Sequence, residues 1–399
     1  MDWIERFADV VVRAGVNVQP GQGVVLNTDT AHLEIARAVV EAAYAAGAAW
    51  VEPIWSDGPM RRSEVDHASL DQLRASRPWV LQRTREWGEQ GAAWITLVGD
   101  ADAHVLDGAD PVKAAARRVE ESHARREAVL GKLRWTAVGA PNPGWAGQIF
   151  GEPDLERLWQ AVGTAMRLDE DDPVTAWQHR AATLAERGAA LDALELTEVR
   201  YRGEGTDLTV GLIPGCHWTG GGMVDDAGIA YMPNIPTEEV FTSPDRSRAD
   251  GVLLVTKPLV LSGRLVTGLR LTFEGGRITA VAADEGADIV EAQLATDEGA
   301  RYLGEVSLVD RDSRIAQAGI VFHNTLFDEN AGCHVAWGQS FPFAVPGGVA
   351  MSQEQRGALG LNSSGVHTDV VVGGAGITVT GSGPKGTVDI IRDDEWVLG

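Results

Sequence analysis

The chain has 399 residues, 44% of them apolar and 23% charged, ordinary proportions for a folded protein and unlike those of a disordered or collagen-like chain. At about 100–200 residues per domain, this length predicts two or three domains. Lys and Arg number 34 against 57 Asp and Glu, and the resulting net charge of −23 repels phosphate backbones, which argues against a nucleic-acid partner.

The first half alternates helical and strand patterns. Asp2 is placed to cap a helix carrying Trp3, Ile4, Phe7, Val10 and Val11 on one face, with Gly15 as its stop. Residues 23–27 (GVVLN) read as a strand. Thr30 is the expected cap of a helix with Leu33, Ile35, Ala36, Val39 and Val40, ended by Gly47. An apolar run follows at Trp50–Ile54, then strands at 94–98 (WITLV) and 135–139 (WTAVG), with a long charged helix over 111–130 between them. Helices over 154–167 and 173–193 complete this half, the second opening on Pro173 behind the acidic run Glu170-Asp171-Asp172. Such alternation predicts a parallel sheet flanked by helices, an α/β domain over 1–190.

From about residue 191 the texture is β. Segments 195–202, 206–213, 251–256 and 264–273 alternate or are rich in branched residues, and Gly275-Gly276 reads as a hairpin turn. A mainly antiparallel, barrel-like domain over 191–399 is expected. Cys216 and Cys333 are too few for a disulfide framework and fit a reducing compartment. The start, MDWIERFADV, lacks the basic and apolar regions of a signal peptide, and no apolar run approaches the roughly 18–20 residues that span a bilayer. A cytoplasmic protein with no membrane association is expected.

No G-x-G-x-x-G, Walker loop or G-x-S-x-G elbow is present, which leaves nucleotide binding and the common serine hydrolase elbow without support. The second half instead gathers carboxylates and imidazoles. His367 and Asp369, two apart before Val370-Val371-Val372, would share one face of a strand and suit a metal; the same pattern fits a plain His–Asp hydrogen bond on a solvent face. Glu305 sits in the apolar run RYLGEVSLV, where a buried carboxylate needs a cation, a metal or a proton. Glu239 follows Glu238 in NIPTEEVFTSPD, where a turn with one solvated acid is the plain alternative. Glu329 and His334 lie in NTLFDENAGCHVAWG five residues apart, a spacing that cannot share one helix face; Glu329 reaches a common site only from a loop or from before the helix. Several such residues in one domain favour a shared divalent-metal site.

The segments NIPTEEVFTSPD, LGEVSLV, NTLFDENAGCH and NSSGVHTD, with VVVRAGVNVQPGQ at 10–22, Trp145-Ala146 and GTDL at 205–208, resemble the thermophilic metallo-aminopeptidase family, that of aminopeptidase T, aminopeptidase S and PepS. The resemblance runs through nearly the whole chain. It implies a two-domain homodimer that removes N-terminal amino acids from peptides with a co-catalytic pair of divalent ions in the C-terminal domain. The ligands it implies are Glu239, Glu305, Glu329, His334, His367 and Asp369, with Glu305 as the bridging and catalytic carboxylate. Zn, Co and Mn all suit such a mixed ligand set. Two cations about 3.5–4 Å apart would activate a shared water and polarise the scissile carbonyl.

The resemblance also exposes departures. Phe341 stands at a position where the family has a catalytic tyrosine, His323 where a tyrosine is common, and Ser313-Arg314-Ile315 where Ser-Pro-Ile is usual. A phenyl ring has no hydrogen bond to give an oxyanion, so a specialised or weakened peptidase is expected. Two other readings stay open. His334, His367 and Asp369 match the two-His-one-carboxylate triad of non-haem iron dioxygenases acting on small aromatic substrates, one of which resembles this same family, and a catalytically silent member would keep the fold alone.

Overall fold

The structure, a computed structural model, describes residues 2–114, 116, 118, 120, 121, 124, 125, 133–261, 264–374 and 376–398. It divides into two compact units: residues 1–179 with 222–236, and residues 180–221 with 237–399. The division falls inside one helix, Pro173–Leu194. No helix among the described residues is long and apolar enough to cross a membrane.

The first unit is built on strands β1 (Gly23–Asp29), β2 (Trp50–Ser56), β3 (Ala93–Val98) and β4 (Trp135–Gly139). All pair in parallel, with β1 between β2 and β3 and β4 outside β3. A fifth, two-residue strand, Asn234–Ile235, adds to β4 from far along the chain, again in parallel. The expected parallel sheet with flanking helices is therefore present. Val24, Val25, Leu26 and Ile95 are wholly buried, as residues of a sheet covered on both faces must be. Asp2 caps the first helix by accepting from the N–H groups of Ile4 and Glu5. Asp29, rather than Thr30, caps the next turn through the Ala31 N–H, while the Thr30 hydroxyl donates to Asp57. That helix (Leu33–Ala45) buries Ile35, Ala36, Val39 and Ala43 and leaves Leu33 exposed. The helix expected over 111–130 is described as helix at Pro111–Ala114 and again at Glu120, Glu121, Ala124 and Arg125; most of its remainder lies outside the described residues.

Among the described residues the second unit holds two large antiparallel sheets and a two-stranded one, Leu259–Leu261 with Arg264–Val266. The larger has eight strands in the order Arg277–Ala282, Arg270–Glu274, Pro244–Leu254, Thr206–Leu212, Glu198–Gly203, Thr378–Gly383, Gly386–Arg392 and Glu395–Trp396. Gly275 and Gly276 make the expected hairpin turn, both at positive φ, the conformation a two-residue turn of the primed type requires. The smaller sheet has β5 (Thr219–Gly220), β6 (Val240–Thr242), β7 (Leu303–Leu308), β8 (His334–Gly338) and β9 (His367–Val371), adjacent in that order. Neither sheet closes on itself among the described residues, so two open sheets replace the barrel-like arrangement. One apolar cluster joins them: Tyr201, Leu208 and Val210 of the larger sheet share it with Val306, Val335, Trp337 and Val370 of the smaller. Both cysteines are free thiols.

Candidate metal centre

Strand alternation sorts the smaller sheet into two faces. Val306 and Leu308 of β7, Val335 and Trp337 of β8 and Val370 of β9 go into the core. The opposite face carries Glu305, Ser307, His334, Ala336, His367 and Asp369. Register completes the arrangement: Glu305 lies opposite Ala336, and Ala336 opposite Asp369, so a methyl group separates two carboxylates. Ser307 lies opposite His334, and Gly338 opposite His367. Leu303 has the parity of Glu305, yet it pairs with Trp337 on the core side. A bulge at Gly304 resolves the conflict by shifting the register, turning Leu303 inward and Glu305 to the other face. Only glycine fits there, because a Cβ would meet the carbonyl oxygens of Gln339 and Gly338 at 2.4 and 2.5 Å.

Five of the six sequence-designated residues converge as two groups: Glu239, Glu305 and His334, and Glu305, His367 and Asp369, with ligand atoms in each group within 4.8 Å of one another. Glu305 belongs to both. Its Oε1 lies 3.8 Å from His334 Nε2, and its Oε2 lies 3.2 Å from His367 Nε2. His334 Nε2 is 3.1 Å from Glu239 Oε2, and His367 Nε2 is 3.4 Å from Asp369 Oδ1. Each imidazole turns its other nitrogen to a backbone carbonyl, His334 Nδ1 to Gly332 at 3.3 Å and His367 Nδ1 to Gln339 at 2.8 Å. A carbonyl only accepts, so Nδ1 carries the proton and Nε2 faces the carboxylates. Glu329 lies in neither group. It follows the short helix Thr325–Asp328 at the start of a 3₁₀ turn, near enough to feel Asp369, Glu239 and Glu305. The triad His334, His367 and Asp369 does not assemble as a group of its own among the described residues.

The charges are crowded. Burial raises the Glu305 carboxyl, and although His367 lowers it, Glu239 and Asp369 push it up again, to about 7. Burial and the same carboxylates hold Glu329 well above the usual range. Burial lowers His334, but Glu239 and the other carboxylates lift it to about 10; His367 is likewise held well above its ordinary value against burial by Asp369 and Glu305. Asp369 is lowered because His367 outweighs the effect of burial. Carboxylates that repel one another and face two imidazole Nε2 atoms are a donor set matched to divalent cations.

Several supporting residues carry no sequence signal of their own. The Ser307 hydroxyl donates to Glu239 Oε2 at 2.7 Å. Asn330 accepts from the Glu238 N–H at 2.6 Å and donates to the Leu326 carbonyl, tying the Glu239 segment to the turn that carries Glu329. Glu239 is not the solvated acid of a turn, being buried, and its neighbour Glu238 is fully buried against Arg180 at 2.6 Å, beside an Arg187–Asp310 pair. Ser313 donates to the Asn330 carbonyl and caps the helix Arg314–Ala318, with Arg314 at the first helical position, where a proline would also fit. Asp328 serves structure, accepting from the Phe322 and Asn324 N–H groups at 2.7 and 3.0 Å. This holds His323, at φ +53°, on the rim of a cavity of about 310 Å³ that also includes Lys257, Glu329, His367 and Asp369. On the opposite flank, Phe341 packs its ring 5.1 Å from that of His367.

Residues 2–396 match the family described as thermophilic metalloprotease (M29). The chain belongs to that family. Membership makes it a metal-dependent hydrolase and agrees with the donor set just described. Aminopeptidase AmpS of Bacillus subtilis (strain 168) is 37% identical over 404 residues, 99% of this chain and 98% of the relative. Aminopeptidase T of Thermus aquaticus is 37% identical over 407 residues with the same coverage. Among solved structures, wild-type AmpT from Thermus thermophilus is 34% identical and superposes with a TM-score of 0.91 over 99% of each chain. The parallel-sheet unit and the antiparallel-sheet unit thus match the fold of that structure.

Proposed function

We propose that the chain is an aminopeptidase that removes N-terminal residues from peptides with two divalent cations, held by Glu239, Glu305 and His334 on one side and by Glu305, His367 and Asp369 on the other. Glu329 is the sixth ligand. The single observation that carries this reading is the membership of Glu305 in both groups, with one carboxylate oxygen toward each imidazole. Relatives named aminopeptidases, matched along 99% of the chain, support the choice of substrate.

Bound cations supply a Lewis acid for the scissile carbonyl and lower the pKa of a water molecule. The protein holds the rest in place. The carbonyls of Gly332 and Gln339 keep both imidazoles in the tautomer that presents Nε2. Ser307 and Asn330 anchor Glu239 and its neighbour. The carboxylate-rich face is complementary to the ammonium group of a free N-terminus, which favours cleavage at the chain end. Ala336 keeps the space between Glu305 and Asp369 clear. Phe341, beside His367, has no hydroxyl to offer an oxyanion, so the reaction proceeds without that donor and more slowly.

The test is turnover of a panel of aminoacyl substrates after reconstitution with Zn, Co, Mn and Fe in turn, with metal content measured on the same samples. Two ions per chain and release of N-terminal residues are expected. One iron per chain with no aminoacyl turnover would overturn the proposal. In the proposed assembly the protein is a homodimer, which light scattering would check.

A further inference from the structure

Three phenylalanines stand together beside the candidate metal centre. Phe341 and Phe343, two apart around Pro342, stack with ring centroids 5.3 Å apart and 27° between planes. Phe241, from β6, meets both edge-on at 5.4 and 6.1 Å. All three are only partly buried. The group is fixed: the Phe341 N–H donates to the Ser243 hydroxyl at 2.9 Å, and Pro342 starts a 3₁₀ turn through Ala344. Phe241 lies opposite Ser307 on β7, on the face that carries the carboxylates. Phe341 continues the group onto the ring of His367.

An aromatic surface left partly open beside a polar centre is a binding surface rather than core. Its contiguity with His367 names the occupant. A substrate whose N-terminal residue engages the centre must send that residue's side chain off it, and on the side of His367 that carries the Phe341 ring the adjoining surface is this wall. The geometry points to Phe241, Phe341 and Phe343 as the subsite for the side chain of the N-terminal residue, selecting large apolar and aromatic residues. An apolar side chain gains by leaving water for the rings, and two aromatic rings add edge or offset contacts. An acidic side chain loses its hydration and gains no partner there. This inference rests on the aminopeptidase reading, and its test is chosen to stand apart from turnover.

Amino-acid hydroxamates probe the subsite without chemistry. Their binding to the metal-loaded protein is measured by titration calorimetry for phenylalanine, leucine, lysine, glutamate and glycine derivatives. Phenylalanine and leucine hydroxamates are expected to bind at least tenfold tighter than the glycine and glutamate compounds. Phe343→Ala is expected to reduce that ratio at least fivefold, with Phe343→Leu in between; the leucine variant keeps an apolar side chain and protects against loss of fold. Metal content of each variant is measured in parallel. Equal binding of phenylalanine and glycine hydroxamates, a lysine derivative bound as tightly as phenylalanine, or a ratio unmoved in both Phe343 variants would overturn the subsite. Side-chain-selective binding with no turnover of any aminoacyl substrate would instead count against the aminopeptidase reading and leave the subsite standing.

Discussion

Ser307→Ala removes one hydroxyl and isolates its effect on Glu239. Ser307 is fully buried, Glu239 nearly so, and their oxygens are 2.7 Å apart. A hydrogen bond to a charged group contributes about 1.5–3 kcal/mol. Glu239 keeps His334 at 3.1 Å, so the carboxylate is not orphaned and the loss belongs at the lower end, about 1.5 kcal/mol. For a unit of roughly 200 residues, each kcal/mol moves the melting point by about 2–4 °C, which gives a fall of about 3–6 °C in the metal-free protein. Residues that orient a metal ligand from behind typically contribute about 10–100-fold in affinity. The melting point is read by calorimetry in chelator, and the affinity by competition with a chromophoric chelator. A variant that melts with wild type and binds metal as tightly would refute the claim that this hydroxyl holds Glu239.

Three further outcomes are expected. Glu305→Ala should lose metal from both groups while near-UV circular dichroism stays native, because Leu303, Val306 and Leu308 of the same strand still fill the core on its other face; two retained ions would remove Glu305 from the bridging role. Phe341→Tyr should raise kcat on a leucyl substrate at least roughly tenfold with little change in KM, since an oxyanion donor acts in the transition state; a wild type already fast, with no gain in the variant, would show that the donor is not needed. Asp297 accepts from the Gly365 N–H, the Ser364 hydroxyl and the Ala300 N–H, clasping the loop that leads into His367. Burial alone would raise its carboxyl, but these donors hold it below the ordinary range. A depressed carboxylate stabilises the fold fully above the unfolded value of about 3.9 and loses that contribution as pH falls through the folded value. Asp297→Asn should therefore melt below wild type near pH 7, with the two curves converging in acid; a constant gap across the whole range would deny the ionised form any role.

Local rules carried the sequence reading where structure is local. The Gly275-Gly276 hairpin depends on two neighbouring residues and strand alternation on a period of two, so the shared face of His367 and Asp369 was legible. The same period could have revealed Ser307, two residues beyond Glu305, but a serine in an apolar run gives no chemical alarm. Glu238 gave no signal of its own because its partner, Arg180, is 58 residues away. The parity of Leu303 was unreadable for a related reason. Its inward turn depends on a bulge, and the bulge depends on the Gln339 and Gly338 carbonyls crowding Gly304 from another strand. Thr30 lost the cap to Asp29 because the Thr30 hydroxyl found Asp57 in three dimensions. Open sheets in place of a barrel follow from edge strands, Arg277–Ala282 and Glu395–Trp396, whose pairing no short window of sequence specifies.

The return of residues 222–236 to the first unit bears on the order in which the chain is made. Asn234–Ile235 pairs with β4, the Pro233 carbonyl accepts from the Ala137 N–H, and the Met232 N–H donates to the Gly15 carbonyl. A ribosome delivers the amino end first, so β1 to β4 emerge with one edge of their sheet unfilled. Residues 180–221, which belong to the other unit, leave the exit tunnel before that edge can be covered. For that interval β4 presents bare N–H and C=O groups, the kind of edge that recruits strands from neighbouring chains. Cutting the gene near residue 180 would make the exposure permanent, and such a fragment should aggregate where the uninterrupted chain does not.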